Sequence, residues 1–298
     1  MITHQECDTL FIADTLKTKF PVFMAVLMEK LDHLDIRKGE ISGTNDIWCR
    51  DYMPVQISLK KFIQFNYPPP YLQSPEYFDS ITDVDAVCNA IGITTGKSDL
   101  ILDGGNIVSS GSKAIITDRV FTDNKNKRKV QIIDELQATL GVNEIIIIPH
   151  QPHNLFGHAD GMLRFIDDDT VLVNDFSYEK DYFRNALSRV LKKHSLQQIE
   201  FTYSPTYEKN EDKVPSASGT YVNYLQVGNK IIMPTFGIPE DECAQKQLRE
   251  VFPQHQIETI DSTEIAKEGG VLNCIVWNVK YWKLILQDLG DYYLVMNA

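Results

Sequence analysis

The sequence predicts an α/β fold in which ββαβ units repeat and close into a ring around a central axis. Three observations predict it. A strand–strand–helix–strand order recurs three times along the chain. The copies follow one another at roughly 55 to 65 residues, the kind of fixed period that marks radial or stacked arrays. The helices within them are too long for an all-β propeller blade. An open α/β sheet with parallel crossovers is the alternative. The ring is favoured because its first strands would bring Asp51, Asp103, His158, Asn223 and Cys274 to one axis.

Taken in order, Thr9–Ala13 is a short apolar strand candidate. Residues 21–34 have helical periodicity, with Pro21 in the first turn, where its missing N–H is no loss. Residues 47–65 alternate in the manner of two strands around the segment Trp48 to Pro54. Residues 66–71 form an expected exposed loop, because three consecutive prolines cannot donate to a sheet ladder. Residues 79–91 look helical. The first full repeat runs from a strand into a glycine turn (100–108), through a strand (113–117) and a helix (129–140), to an apolar strand (144–149). The second has the same order over 158–166, 170–174, 181–194 and 198–203, and the third over 221–227, 230–234, 240–251 and 256–260. Earlier and final segments supply the remaining blades.

The chain of 298 residues can bury a large core. Its 43% hydrophobic and 23% charged residues are ordinary for a soluble globular protein. Lys and Arg total 29 against 41 Asp and Glu, a formal net charge of -12. Such a surface repels nucleic acid and anionic membranes and draws in small cations. The N-terminus lacks the basic start and apolar run of a signal peptide, and no window reaches the apolar length of a membrane helix. The five cysteines are odd in number, without CxxC spacing. They argue against a disulfide framework or zinc knuckle and fit a reducing cytoplasm.

Four stretches carry candidate chemistry. In residues 268–279, two glycines permit a tight turn ahead of Cys274, which begins an apolar strand. Two readings are open: a small buried hydrophobe, or a thiol held on a rigid element beside a cleft. In residues 157–165, a strand would project His158 and Asp160 from one face. An acid beside a histidine suits proton transfer, since the carboxylate orients the ring and tunes its pKa; a surface turn is the other reading. His150, His153, His158 and Asp160 are all possible metal ligands. Their spacing matches no helical HExxH pattern, Pro149 and Pro152 interrupt any helix, and no metal is expected. Asp51, next to Trp48 and Arg50, suits a flat cation whose face an aromatic ring can engage, or forms a turn with Trp48 in the core. Asn223 belongs to an expected hairpin that would turn it inward.

Together the segments WCRDYMP, LDGGN, GHADGMLRF, YVNYLQVGNKIIMPTFG and GGVLNC resemble, in order and spacing over residues 48–279, the motifs of the agmatine deiminase family, which includes bacterial peptidylarginine deiminases. The resemblance implies a five-bladed α/β propeller of ββαβ units with pseudo-fivefold symmetry, a single domain over residues 1–298. It also implies a cofactor-free thiol hydrolase whose partner is a small cationic guanidino substrate, agmatine first and free or peptide-bound arginine second. Cys274 then matches the nucleophile, His158 the general acid/base, and Asp51 and Asp160 the carboxylates that hold the guanidinium nitrogens. Asn223 matches a polar residue near the thiol, and Trp48 and Gly105 residues that shape the pocket. The chain departs from the family pattern at Met53, where glycine is usual, and at Asn273, where histidine is common. It is also shorter than typical agmatine deiminases, so some substrate-recognising loops are expected to be absent. An amidinotransferase and a non-catalytic binding propeller are the competing expectations. The tail, residues 280–298, lies outside the resemblance; an amphipathic cover over the ring and an oligomer contact are its two candidate roles.

Overall fold

The computed structural model describes residues 1–67, 79, 81–152, 154–206, 208–211 and 213–281. Their fifteen strands form five separate three-stranded sheets in an α/β arrangement. The sheets share one topology. In chain order they are Val276–Val279, Thr9–Ala13 and Arg37–Ile41; Val55–Ser58, Lys61–Asn66 and Thr95–Ile101; Val108–Ser109, Lys113–Thr117 and Glu144–Ile148; Leu163–Phe165, Thr170–Asn174 and Gln197–Phe201; and Leu225–Val227, Lys230–Thr235 and Gln256–Asp261. In each sheet the first two strands pair antiparallel and the third joins the middle strand in parallel after a helical crossover. The first sheet takes a strand from each end of the described chain, with Thr9 opposite Val279.

Crossover helices form where one apolar stripe repeats every fourth residue. Lys129–Leu140 buries Ile132, Leu136 and Leu140, and Asp181–Lys193 buries Phe183, Leu187 and Leu191. Glu240–Val251 buries Ala244 and Leu248. Polar residues occupy the remaining faces, so each helix has one face to pack on its sheet. Full burial of one such leucine stabilises by about 1.5–3 kcal/mol, and Leu187→Ala removes most of that and leaves a cavity. Among the described residues no helix is long and apolar enough to cross a membrane.

Several expected strands are shorter than their apolar runs. Residues 158–166 contribute only Leu163–Phe165, preceded by a 3-10 turn at Ala159–Gly161. Residues 221–227 contribute only Leu225–Val227. Leu100 and Ile101 end one sheet, and after a 3-10 turn at Gly104–Asn106 the next begins at Val108. Cys49–Tyr52 is a short helix, not strand. Alternation misleads here because turn residues pack into the interior as fully as the strands that follow. The helix expected over residues 79–91 is Val84–Ala90, capped by Asp83, whose side chain accepts from the Ala86 amide at 3.0 Å. The strand Arg37–Ile41 had no sequence signal: RKGEI is mostly polar, and pairing with Thr9–Ala13 alone holds it extended. The proline run from residue 68 and the tail from residue 282 lie outside the described residues.

Candidate active site

Each sheet is entered through a tight turn just before its first strand, and these five turns carry the polar residues that meet. Asp51 lies in the helical turn before Val55, Asp103 to Asn106 precede Val108, and His158 and Asp160 precede Leu163. Asn223 stands two residues before Leu225, and Cys274 two before Val276. His158 and Asp160 therefore converge through a 3-10 turn, and the same-face strand argument does not apply. Asp51, His158, Asp160, Asn223 and Cys274 are each 9% exposed or less.

His158 is held from both sides. Its Nε2 lies 2.7 Å from Asp103 Oδ2, and its Nδ1 lies 3.5 Å from Asp51 Oδ1. Burial pulls the imidazolium down, but Asp51 and the Asp103 hydrogen bond outweigh it and bring the pKa up to about 9. Burial likewise raises Asp51, to about 7, against the pull of His158. Asp51 Oδ1 also accepts from the Gly105 amide at 3.0 Å. A Cβ at Gly105 would stand 2.5 Å from Asp51 Oδ1 and 2.9 Å from His158 Nδ1. Only glycine lets the backbone approach these groups so closely.

Across the site, Cys274 Sγ lies 3.5 Å from Asn223 Oδ1 and 3.8 Å from Asp160 Oδ2. Asp160 Oδ2 accepts from Asn273 Nδ2 at 2.7 Å, and Asn223 Oδ1 accepts from the Asn273 amide at 3.0 Å. Burial and the negative charges of Asp160 and Asp51 push the Cys274 thiol well above its ordinary value. Burial does the same to Cys7, Cys49 and Cys88. What distinguishes Cys274 is therefore its surroundings, because a cavity of about 80 Å³ is lined jointly by Cys274, His158, Asp160 and Asn223. Gln151, Phe156, Tyr203, Ser216 and Thr220 line it as well.

Trp48 stands behind this cavity, not in its lining: a Cβ at Gly270 would touch the Trp48 ring at 2.5 Å, and Gly270 is part of the cavity wall. Asp51, Gly105, Arg50 and Arg164 do not line it either, Asp51 and Gly105 standing behind His158. Among the described residues no group of three or more His, Cys, Asp or Glu side chains is placed to hold a metal ion. His150 pairs with Asp118 at 2.6 Å, and His153 lies outside the described residues. Asp103 was placed at the axis from its position in the repeat, but its bond to His158 spans 55 residues and had no local signal. Asn273 was legible only as a departure from a pattern.

The sequence profile of the Porphyromonas-type peptidyl-arginine deiminase family matches residues 4–279. The agmatine deiminase of Stutzerimonas stutzeri is 31% identical over 205 residues, 59% of this chain and 56% of that protein. The chain spans 60% of the length of two Mycoplasma relatives, each 28% identical over 221 residues. Among solved structures, the agmatine deiminase of C. jejuni superposes with a TM-score of 0.71 at 20% identity, covering 94% of this chain and 95% of that one, so the two share a fold.

Proposed function

The chain belongs to the Porphyromonas-type peptidyl-arginine deiminase family, and on that premise we propose that it is a guanidine deiminase that converts agmatine to N-carbamoylputrescine and ammonia through a covalent thiouronium on Cys274. The observation that carries this reading is the shared cavity: a thiol from one turn, and an imidazole and a carboxylate from another, open on one space.

Asp160 on the cavity wall, and Asp51 beside His158 just outside that lining, hold the substrate guanidinium and fix its carbon toward the sulfur. The guanidinium's positive charge offsets the two acids that keep the thiol protonated, so Cys274 gives up its proton to solvent as substrate enters. The thiolate forms a bond to the guanidinium carbon. His158, charged at neutral pH with its pKa near 9, gives its proton to the departing nitrogen, which leaves as ammonia. The now neutral imidazole takes a proton from water as the water oxygen adds to the thiouronium carbon. Collapse breaks the carbon–sulfur bond and leaves the ureido product. Asp103, bonded to Nε2, stabilises the imidazolium and orients the ring.

The walls support a substrate without a carboxylate. Among the described residues no Lys or Arg lines the cavity, and a free arginine would bring an anion with none of these cations to meet it. Gln151, Tyr203, Ser216 and Thr220 provide neutral polar groups instead. The net charge of -12 favours approach of a dication, and the agmatine deiminases among the relatives point the same way.

Five sheets of one topology, with the first and last strands sharing a sheet, support a closed five-bladed ring with pseudo-fivefold symmetry and one domain over residues 1–298. Free cysteines at all five positions support residence in a reducing cytoplasm.

Ammonia release from agmatine, free arginine and an arginine peptide tests the reading. Agmatine is expected to be turned over fastest, and Cys274→Ser to abolish the reaction. Absence of both ammonia and ureido product from all three would overturn it, and an added amine appearing in the product would indicate amidino transfer instead.

A further inference from the structure

A second cavity, of about 120 Å³, shares Asp160 with the first but is lined by neither Cys274 nor His158. Arg50 and Arg164 both line it, and Thr3, His4 and Gln5 lie along its wall. Arg164 is 5% exposed. Its Nη1 donates to the Tyr224 carbonyl, and its Nη2 to His4 Nδ1 and, at 3.4 Å, to Asn273 Oδ1. The Tyr224 ring centroid lies 4.3 Å from its guanidinium carbon. Arg50 donates from Nε to the Asn273 carbonyl at 3.3 Å and from Nη2 to Asn278 Oδ1.

Every one of these acceptors is neutral. Among the described residues, neither guanidinium has a carboxylate oxygen within 4.0 Å. Burial pulls the Arg164 guanidinium down, and the like charge of Arg50 adds to it against Tyr224 and Asp160. A guanidinium has five N–H donors, so the pair holds more donors than the acceptors just named. No guanidinium nitrogen of either residue is both sealed and without a partner, and both residues line the cavity.

Two cations are thus brought to one small space by neutral groups that accept some of their hydrogen bonds and do not balance their charge. Such a charge is costly to bury without a counter-charge. Two acids stand on the same wall: Asp160, whose Oδ2 is occupied by Asn273 Nδ2, and Asp167, which is exposed. They disfavour a multivalent anion and leave room for a single negative charge.

We propose that this rear cavity is a binding site for a small inorganic monoanion of halide size, seated between Arg50 and Arg164. Both arginines hold Asn273, and Asn273 holds Asp160, so an anion that fixes the two guanidiniums also fixes the carboxylate beside the thiol. The binding claim stands on the rear cavity alone; its coupling to turnover rests on the deiminase reading.

The test uses the full chain in sodium bromide or sodium gluconate at matched ionic strength, which removes general screening from the comparison. Bromide is expected to raise Tm saturably, and anomalous scattering from a bromide-soaked crystal to give a peak in contact with both guanidiniums. Arg50→Gln is expected to weaken the Tm response at least about tenfold in bromide concentration, as loss of a charge-assisted contact does. Arg164→Met is the second variant, and Arg50→Gln keeps the test decisive if Arg164→Met does not fold. Identical melting in the two salts, or a peak without a Tm response (an adventitious ion only), overturns the proposal. Turnover of agmatine that rises over the same bromide range supports the coupling. If no guanidine is turned over at all, the deiminase reading fails while the melting and scattering still decide the anion site.

Discussion

Asn273 donates its side-chain amide to Asp160, Nδ2 to Oδ2 at 2.7 Å, one residue before the thiol of Cys274. It also receives Arg164 on its Oδ1 and Arg50 on its carbonyl. A residue that differs from the family's common histidine therefore holds in place one of the two acids proposed to bind substrate.

Asn273→Ala should leave one Asp160 oxygen without its donor, which costs about 1–3 kcal/mol for a buried acceptor. Since that orientation serves the reaction, kcat/KM for agmatine should fall about 10- to 100-fold with a smaller change in Tm. Steady-state kinetics beside thermal melting checks this, and equal activity would show that Asp160 is held by other contacts.

Gly105→Ala places a Cβ within 2.5 Å of Asp51 Oδ1 and 2.9 Å of His158 Nδ1. The neighbours are side chains as well as a tight backbone turn, so the fold should survive while the site is displaced. A shift of this size in reacting groups costs on the order of a hundredfold in rate. An active variant with unchanged kcat would contradict the close packing.

Asp51 and His158 titrate as an interacting pair, with values near 7 and 9. The proposed mechanism needs Asp51 ionised and His158 charged before substrate binds, so kcat/KM should be bell-shaped, rising near pH 7 and falling near pH 9. Stability follows with a definite sign. Both folded values lie above the ordinary ones, 3.8 for Asp51 and 6.5 for His158, so the native state holds more protons than the unfolded chain. That stabilisation is complete below the unfolded values and lost as pH rises through 7 and then 9. Tm should decline from pH 7 to 9, and His158→Gln should flatten the decline.

Without substrate the Cys274 thiol is held protonated by burial and by Asp160 and Asp51. The ultraviolet difference spectrum between wild type and Cys274→Ser should therefore show no thiolate at pH 7. A thiolate already present at that pH would mean that substrate charge is not what activates the sulfur.

The crossover helices, the order of the repeats and the residue types that meet are legible along the chain, whereas the short helices such as Cys49–Tyr52 are not. Four-residue spacing such as Phe183, Leu187 and Leu191 records which face must be buried, and that demand is local. The edge strand Arg37–Ile41 shows the converse, since its conformation comes from a neighbour and not from its own pattern. The same holds at the site. Residues 158 and 160 do stand together on one cavity, through the turn at Ala159–Gly161 and not through a shared strand face. The bond from Asp103 to His158, and the turn of Arg50 and Arg164 away from Cys274 toward a separate cavity, were decided only by tertiary structure. Burial of a stripe is encoded within a few residues, whereas contacts spanning 55 to 223 residues depend on how the five entry turns pack against one another.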